Sequence, residues 1–170
     1  MIHHQQKVYQ KSMVFLFGNT LKKTALSILL LIAASCEPSL IHDSVIFDGD
    51  SWKNTETKQL TLEISEKEKF DVWVQVYYTD RWQHDYFNLA LSMRTPFGET
   101  RYLSRSIRFL EDGKAQFTKS QQGYYVAEIP YFRGLEVDEP GTFEFELLSR
   151  MPGYSVGGIH KVKVYMQKVN

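Results

Sequence analysis

The sequence predicts an all-β protein, an antiparallel β-sandwich of about seven to eight strands that follows an N-terminal signal segment. From residue 45 onward, short runs alternate apolar and polar residues with period two, which is the pattern of half-buried strands. The runs recur at roughly ten-residue intervals, and no sustained helical periodicity interrupts them. The length of 170 residues fits one such domain. The single cysteine excludes an intrachain disulfide.

Seven segments form the predicted strands, in chain order 60–64, 70–78, 88–95, 100–110, 123–130, 142–148 and 159–166. The second is the clearest, because its apolar residues occupy every other position. Its predicted core face consists of Phe70, Val72, Val74, Val76 and Tyr78. Trp73 and Tyr77 then lie on the opposite face. Between the strands, 65–68, 96–99 and 111–114 carry charged residues, Gly or Pro and predict turns.

The first 35 residues have the composition of a signal peptide. Two lysines, Lys22 and Lys23, precede an apolar stretch of about a dozen residues that ends in small side chains before Cys36. As a helix this stretch rises about 18 Å, against a hydrocarbon core of about 30 Å, so it is too short for a permanent transmembrane span. Translation from Met13 would give a signal of ordinary length.

Cys36 is the expected attachment point for lipid. Ala33-Ala34-Ser35-Cys36 resembles a bacterial lipobox, whose cysteine sulfur takes a diacylglycerol, although Leu is the common residue at the position of Ala33. A plain signal peptide with an unmodified cysteine, or a buried free thiol, are the alternatives. We expect a signal over 1–35, a lipidated cysteine and tether over 36–44, and the sandwich over 45–170. The tether lacks an acidic run, which favours a periplasm-facing membrane anchor.

Charge and motifs exclude several function classes. From residue 36 onward there are 16 basic and 20 acidic side chains, and a mildly acidic surface does not attract phosphate backbones. The chain has no Gly-x-Ser-x-Gly and no His-Glu-x-x-His motif. His84-Asp85 is interpreted as an exposed loop pair, and His42, His84 and His160 are too far apart in sequence to indicate a metal site. We therefore expect neither enzyme activity, cofactor, metal nor nucleic-acid binding.

The aromatic residues are more numerous than a small sandwich core holds. Several fall at loop or outer-face positions; the set is Trp73, Tyr77, Trp82, Tyr86, Tyr124, Tyr131, Phe132 and Tyr154. Three interpretations stay open: docking to protein partners, stacking on sugar rings, and cross-strand packing without a binding role. For docking, we expect Trp82 and Tyr86 to lie in a partner-facing loop.

From Val45 to the C-terminus the chain resembles the gliding-motility lipoproteins of the GldH type from Bacteroidota. The resemblance rests on the segments 70–78, 86–89, 96–98, 139–145 with Met151, and 158–164. It implies an immunoglobulin-like sandwich and a membrane-anchored, non-enzymatic accessory or scaffold protein of the gliding and type IX secretion machinery. Its implied partners are the bilayer, through acylated Cys36, and other envelope proteins. The alternative function is a lipid-anchored carbohydrate-binding module.

Overall fold

The computed structural model describes residues 40–120 and 122–169, which form two packed antiparallel sheets. In spatial order, the first sheet contains β1 (Ile41–Ile46), β12 (Ile159–Lys168), β4 (Lys69–Tyr78) and β9 (Tyr125–Glu136). The second contains β3 (Lys58–Ile64), β10 (Gly141–Ser149), β5 (Tyr86–Arg94) and β6 (Thr100–Arg108). Two short pairs complete the fold, β2 (Ser51–Lys53) with β11 (Ser155–Gly157) and β7 (Leu110–Glu111) with β8 (Lys114–Ala115). Residues Asp48–Asp50 form a short 3-10 turn in which Gly49 and Asp50 have positive φ.

The predicted fold class, an all-β antiparallel sandwich, is confirmed, and its strand order is that of a jelly roll. Each step between consecutive long strands crosses from one sheet to the other, except the hairpin from β5 to β6. This is the connectivity of two interlocked Greek keys with eight strands. An immunoglobulin-like sandwich instead pairs several sequential strands within sheets of four and three. Within the confirmed sandwich class, the strand order thus differs from that of the immunoglobulin-like sandwich which the resemblance implies.

One long strand, β1, was not among the seven predicted from the sequence. It begins inside the segment 36–44 that was assigned to the tether, so the boundary between tether and sandwich at residue 44 is corrected. Residues 41–46 pair with β12 along the edge of the first sheet. The alternation was hidden because Asp43 occupies a half-buried position where an apolar residue is expected. Its carboxylate accepts hydrogen bonds from the backbone N–H of Ser44 at 2.7 Å and of Thr61 at 3.0 Å. Asp43 thus ties β1 to β3 in the second sheet.

The core lies between the two sheets and is built from alternate residues of each long strand. In β4, Phe70, Val72, Val74, Val76 and Tyr78 are buried, as predicted, and Trp73 and Tyr77 lie half-buried on the other face. The second sheet contributes buried side chains from all four of its strands: Leu60, Leu62, Ile64, Phe87, Leu89, Leu91, Met93, Ile107, Phe143, Phe145 and Leu147. Fully burying each such apolar side chain contributes about 1.5–3 kcal/mol, which makes this layer the main source of stability.

The predicted turn over 111–114 is present and connects β7 to β8. Asp112 and Gly113 both have positive φ, at 50° and 72°. Two consecutive residues in the left-handed region are typical of the two-residue hairpin turn for which Asp-Gly is preferred.

An aromatic cluster fills one end of the core and holds Tyr78 in a fully buried site. The Tyr78 and Phe109 rings stack with centroids 4.3 Å apart, and the Tyr125 ring stacks on Tyr78 at 5.1 Å. The Tyr78 hydroxyl donates to the carbonyl of Phe109 at 3.4 Å. Burial raises the pKa of Tyr78 from 10 to about 12, because the phenolate is poorly solvated there.

We expect this burial to make stability fall as the pH rises above about 10. Below that pH, Tyr78 holds its proton in both folded and unfolded chains, and between about pH 10 and pH 12 only the unfolded chain releases it. Because the pKa of Tyr78 is higher by about two in the folded chain than in the unfolded chain, on the order of 2–3 kcal/mol of stability is lost near pH 12. Urea unfolding from pH 8 to about 12 measures the loss, and Tyr78→Phe should reduce it. An identical alkaline loss in both proteins would rule out this assignment.

Candidate functional site

Trp82 lies in the loop between β4 and β5, but its side chain is buried and is not on the exposed surface that the predicted docking role requires. The side chain is 4% exposed and packs inside the core against Phe87 and Phe109, with ring centroids 5.4 and 5.0 Å away. Its indole N–H donates to the carbonyl of His84. The loop folds back over the end of the sandwich, and burying a large aromatic ring there outweighs the polar character of its neighbours. Trp82 therefore serves stability.

Tyr86 begins β5, and its side chain is 39% exposed. Its hydroxyl accepts a hydrogen bond from Nε of Arg108 at 2.8 Å, and the guanidinium carbon lies 5.1 Å from the ring centroid. Arg108 also forms an ion pair with Glu111. Tyr86 is thus accessible but already engaged by a neighbouring cation, and a docking role for it stays a prediction.

The His84-Asp85 pair is exposed, as predicted. The backbone carbonyl of Asp85, not its side chain, has the structural role: it accepts hydrogen bonds from the N–H groups of Phe109 and Leu110 at 2.7 and 3.1 Å. In the ranges 40–120 and 122–169, no three metal-ligating side chains converge. Over the same ranges no helix has the length and apolar character of a membrane span. Cys36, the signal and the start of the tether lie outside the described residues.

The outward faces of the two sheets differ in chemistry. The second sheet presents a solvated polar surface that includes Gln59, Thr61, Glu63, Ser92, Ser104, Glu144 and Glu146, with Tyr102 as an isolated exposed ring. The first sheet presents half-buried Trp73 and Tyr77 beside the buried ring of Tyr165, together with cations and one exposed carboxylate, Glu128. We call this surface the aromatic face; its residues are Trp73, Gln75, Tyr77, Glu128, Arg133, Lys161, Lys163 and Tyr165.

Strand pairing in the first sheet sets the geometry of the aromatic face. Trp73 of β4 is the cross-strand partner of Tyr165 of β12, and their rings are parallel within 4° with centroids 6.3 Å apart. Tyr165 is only 5% exposed, whereas Trp73 is half-buried, and its indole nitrogen is shielded from solvent without a hydrogen-bond partner among the described residues. Tyr77 lies four residues further along β4, about 13 Å away at the rise of a strand.

Each of these three rings has a cation over it. The Arg133 guanidinium carbon lies 4.9 Å from the Trp73 ring centroid, and Arg133 also pairs with Asp71 at 3.4 Å. The Lys161 ammonium lies 4.1 Å from the centroid of Tyr77. The Lys163 ammonium lies 5.5 Å from that of Tyr165. These cation–π contacts hold the positive charges on the sheet surface.

Glu128 organises the centre of the face through three hydrogen-bonding groups. Its carboxylate accepts a hydrogen bond from the Gln75 amide at 2.9 Å and another from the Tyr165 hydroxyl. The Tyr77 hydroxyl donates to the Gln75 amide oxygen at 3.0 Å. Partners on three strands therefore fix this carboxylate and amide in one orientation, which lowers the entropy lost when a ligand binds them.

Partial burial shifts the pKa values of groups on the face. Burial and the nearby Lys161 charge lower the pKa of Lys163, against the opposing influence of Glu128. Burial and the hydrogen bond to Glu128 raise the pKa of Tyr165 well above its usual range, so the phenol stays protonated. Two lysines at alternate positions of one strand, only partly balanced by one carboxylate, form a site that an anion would stabilise.

A groove joins the aromatic face at the edge of the first sheet. It has a volume of about 470 Å³ and is lined by residues 116–120, Val126 and Glu128. Glu128 therefore belongs to both the groove and the face. The Ser120 hydroxyl, which also lines the groove, is buried without a hydrogen-bond partner among the described residues. The groove supplies polar groups suited to a hydroxyl-rich ligand.

Sequence reasoning found Trp73 and Tyr77 but missed the other residues of the face. The outward positions of 159–166, Lys161, Lys163 and Tyr165, alternate with buried Val162 and Val164, so period two contained this signal. Glu128 could not be found in this way, because Gln75 lies 53 residues from it in sequence and only strand pairing brings the two together.

Comparison with known proteins finds distant structural similarities. No protein-family model matches the chain, and no curated protein sequence matches it. A solved structure described as "A novel family GH115 4-O-Methyl-alpha-glucuronidase, BtGH115A, with specificity for decorated arabinogalactans" has 10% identity over 76% of this chain and 16% of its own, with a TM-score of 0.43. Dimeric latent PorU from Porphyromonas gingivalis has 8% identity over 76% and 13%, with a TM-score of 0.38.

A smaller solved domain, CBM35 from Cellvibrio japonicus Abf62, matches over 80% of this chain and 94% of its own length, with 11% identity and a TM-score of 0.36. This chain spans less than a fifth of the first two structures. At identities this low the similarity concerns the fold alone.

Proposed function

We propose that the protein is a lipid-anchored, non-catalytic binding protein of the cell envelope that acts as an accessory component of the gliding and type IX secretion machinery. The aromatic face is the observation that carries the binding role. Half-buried rings, fixed hydrogen-bonding groups and cations on a rigid sheet form a recognition surface, since binding sites combine apolar area with a few oriented polar groups. The resemblance of the chain to the gliding-motility lipoproteins supports the assignment to that machinery.

The anchor is proposed to be a diacylglycerol on Cys36 facing the periplasm. Acylation with two or more chains gives stable attachment, and loss of the thiol removes it. We expect Cys36→Ala to move the protein from the membrane fraction to the soluble fraction, whereas the nearby control Ser39→Ala stays in the membrane. Mass analysis of the membrane-extracted protein should find acylated Cys36 at its N-terminus. An unmodified cysteine within a longer chain would contradict the anchor.

The accessory role is tested by the proteins that the chain contacts in its own host. The tagged, membrane-extracted protein is cross-linked and purified, and its partners are identified by mass spectrometry. Recovery of gliding or secretion components supports the role, and their absence from the cross-linked material contradicts it. Protein partners docked on the aromatic face would be lost in a Tyr77→Ala variant and kept in the matched control Tyr102→Ala on the second sheet.

Carbohydrate binding is the second candidate function, and the groove beside Glu128 favours it. Planar rings stack on sugar faces, while the Gln75 amide and the Glu128 carboxylate offer a donor and acceptors to sugar hydroxyls. Protease treatment of whole cells separates the two candidates. A binder of external glycan is exposed and digested, and a periplasmic component is protected.

A further inference from the structure

We propose that the aromatic face is a binding site for an acidic oligosaccharide, in which a sugar carboxylate pairs with Lys161 and Lys163 while sugar rings stack along Tyr77 and Trp73. The proposal deepens the carbohydrate-binding candidate and rests on it. It does not require the accessory role in the envelope machinery.

Local charge is the first argument for an anionic ligand. Arg133 and Asp71 form an ion pair and neutralise each other. The remaining charges on the face are the two positive charges of Lys161 and Lys163 and the one negative charge of Glu128. Neither lysine forms an ion pair with a carboxylate among the described residues. The surface is therefore locally cationic, although acidic side chains outnumber basic ones from residue 36 onward, 20 to 16. A ligand carboxylate between the two ammonium groups would relieve their repulsion.

The arrangement of rings is the second argument, and it favours a sugar over a simple anion. Trp73 and Tyr77 lie about 13 Å apart along β4, which suits a chain of several sugar rings. The Lys161 ammonium now over Tyr77 is on a flexible side chain, so a ligand carboxylate can draw it to the rim of the ring and free that ring for stacking. Ring burial and charge pairing then occur in the same step.

The hydrogen-bonding centre is the third argument. The Gln75 amide and the Glu128 carboxylate are held in place by Tyr77 and Tyr165, and Glu128 opens into the groove of residues 116–120. Sugar hydroxyls both donate and accept, so they match an amide beside a carboxylate. An acidic peptide lacks these hydroxyls, and in a nucleic acid most of the sugar oxygens are taken up in phosphodiester bonds.

The experiment is calorimetric titration of the detergent-solubilised full chain with acidic oligosaccharides. The probes are hexamers of galacturonate, mannuronate and a glucuronate-containing repeat, each compared with its methyl ester, which has the same rings without the charge. We expect at least one acid hexamer to bind about ten- to a hundredfold more tightly than its ester, the range of a hydrogen bond to a charged group. A hexaglutamate peptide and a single-stranded oligonucleotide test the competing ligand classes.

Substitutions on and off the aromatic face test whether oligosaccharide binding occurs there. Lys161→Met with Lys163→Met should weaken acid binding about ten- to a hundredfold while leaving the ester affinity unchanged, and Lys114→Met in the β7–β8 hairpin should alter neither. Tyr77→Ala should weaken acid and ester alike, and Tyr102→Ala neither. Melting temperatures confirm that each variant is folded.

Three results would overturn the proposal: no acid hexamer binds, acid and ester bind equally, or hexaglutamate binds as tightly as the sugar and is unaffected by Tyr77→Ala. None of them bears on the accessory role, whose own test is partner recovery in the host. Loss of partners with retained sugar binding would equally leave the present proposal intact.

Discussion

Replacing Trp82 by Ala is expected to destabilise the domain by about 3–5 kcal/mol, because it empties a large buried site at the end of the core. Phe87, Phe109 and Tyr78 all contact this ring and would line the resulting cavity. A loss of that size is a large share of the roughly 5–15 kcal/mol that stabilises an ordinary domain. Urea unfolding at neutral pH measures it.

Trp73→Ala is the matched control for this prediction. Trp73 is half-buried on the aromatic face, and its removal leaves a surface depression instead of an internal cavity. We expect it to cost about 1–2 kcal/mol, less than half the effect at Trp82. Equal losses for the two variants would mean that Trp82 does not belong to the core as described.

Gly158→Ala is the second change with a large expected effect, at about 2–5 kcal/mol. Gly158 has φ of +86°, and a Cβ there would lie 2.7 Å from the backbone nitrogen and 3.0 Å from the Cα of Trp82. The contacted atoms are backbone, so they cannot move aside as a flexible side chain can. The Gly158 N–H donates a hydrogen bond to the carbonyl of Asp50, and the Gly158 carbonyl accepts one from the N–H of Thr79. The free-energy cost of the unfavourable φ and the cost of the steric clash therefore add in Gly158→Ala.

Gly153→Ala separates the two contributions. Gly153 has nearly the same φ, +89°, but a Cβ added there would meet nothing within 4 Å. We expect about 1–2 kcal/mol from the unfavourable φ alone. If thermal or urea unfolding gives the same loss for both glycines, close packing of Gly158 against Trp82 is not what demands a glycine there.

Most of the long strands were predictable because they bury one face, which imposes period two on their sequence. The 70–78 segment shows this best, with five buried residues alternating with polar or aromatic ones. β1 escaped detection because Asp43 is satisfied by backbone N–H groups at a position where the pattern calls for an apolar residue. A single polar residue with local partners is enough to break the signal in a six-residue strand.

Trp82 could not be placed from the sequence because its neighbours carry no pattern. Asp80, Arg81, Gln83 and His84 are polar, so the segment has the composition of a surface loop. Whether one aromatic ring in such a loop points inward depends on the cavity that the strands leave at the end of the sandwich. That cavity is a property of tertiary packing.

The candidate site was only half predictable for a related reason. Alternation assigned Trp73 and Tyr77 to the outward face of one strand. Glu128, Lys161 and Lys163 join them through the pairing of β9 and β12 with β4, and the jelly-roll strand order is what makes β4 the neighbour of both. Neighbouring strands in this fold are distant in sequence, so local patterns do not reveal which residues meet.

Photo-cross-linking in the host, with the lipid anchor intact, shows whether the aromatic face is the binding surface. A benzophenone amino acid replaces Tyr77 on the aromatic face or, as a control, Tyr102, which is 58% exposed on the second sheet. Both substitutions exchange one aromatic ring for another, and the probe reacts with C–H bonds of protein and sugar alike. We expect a defined adduct from position 77 and none from position 102. No adduct at 77, or equal adducts at both positions, would contradict the claim that this face is the binding surface.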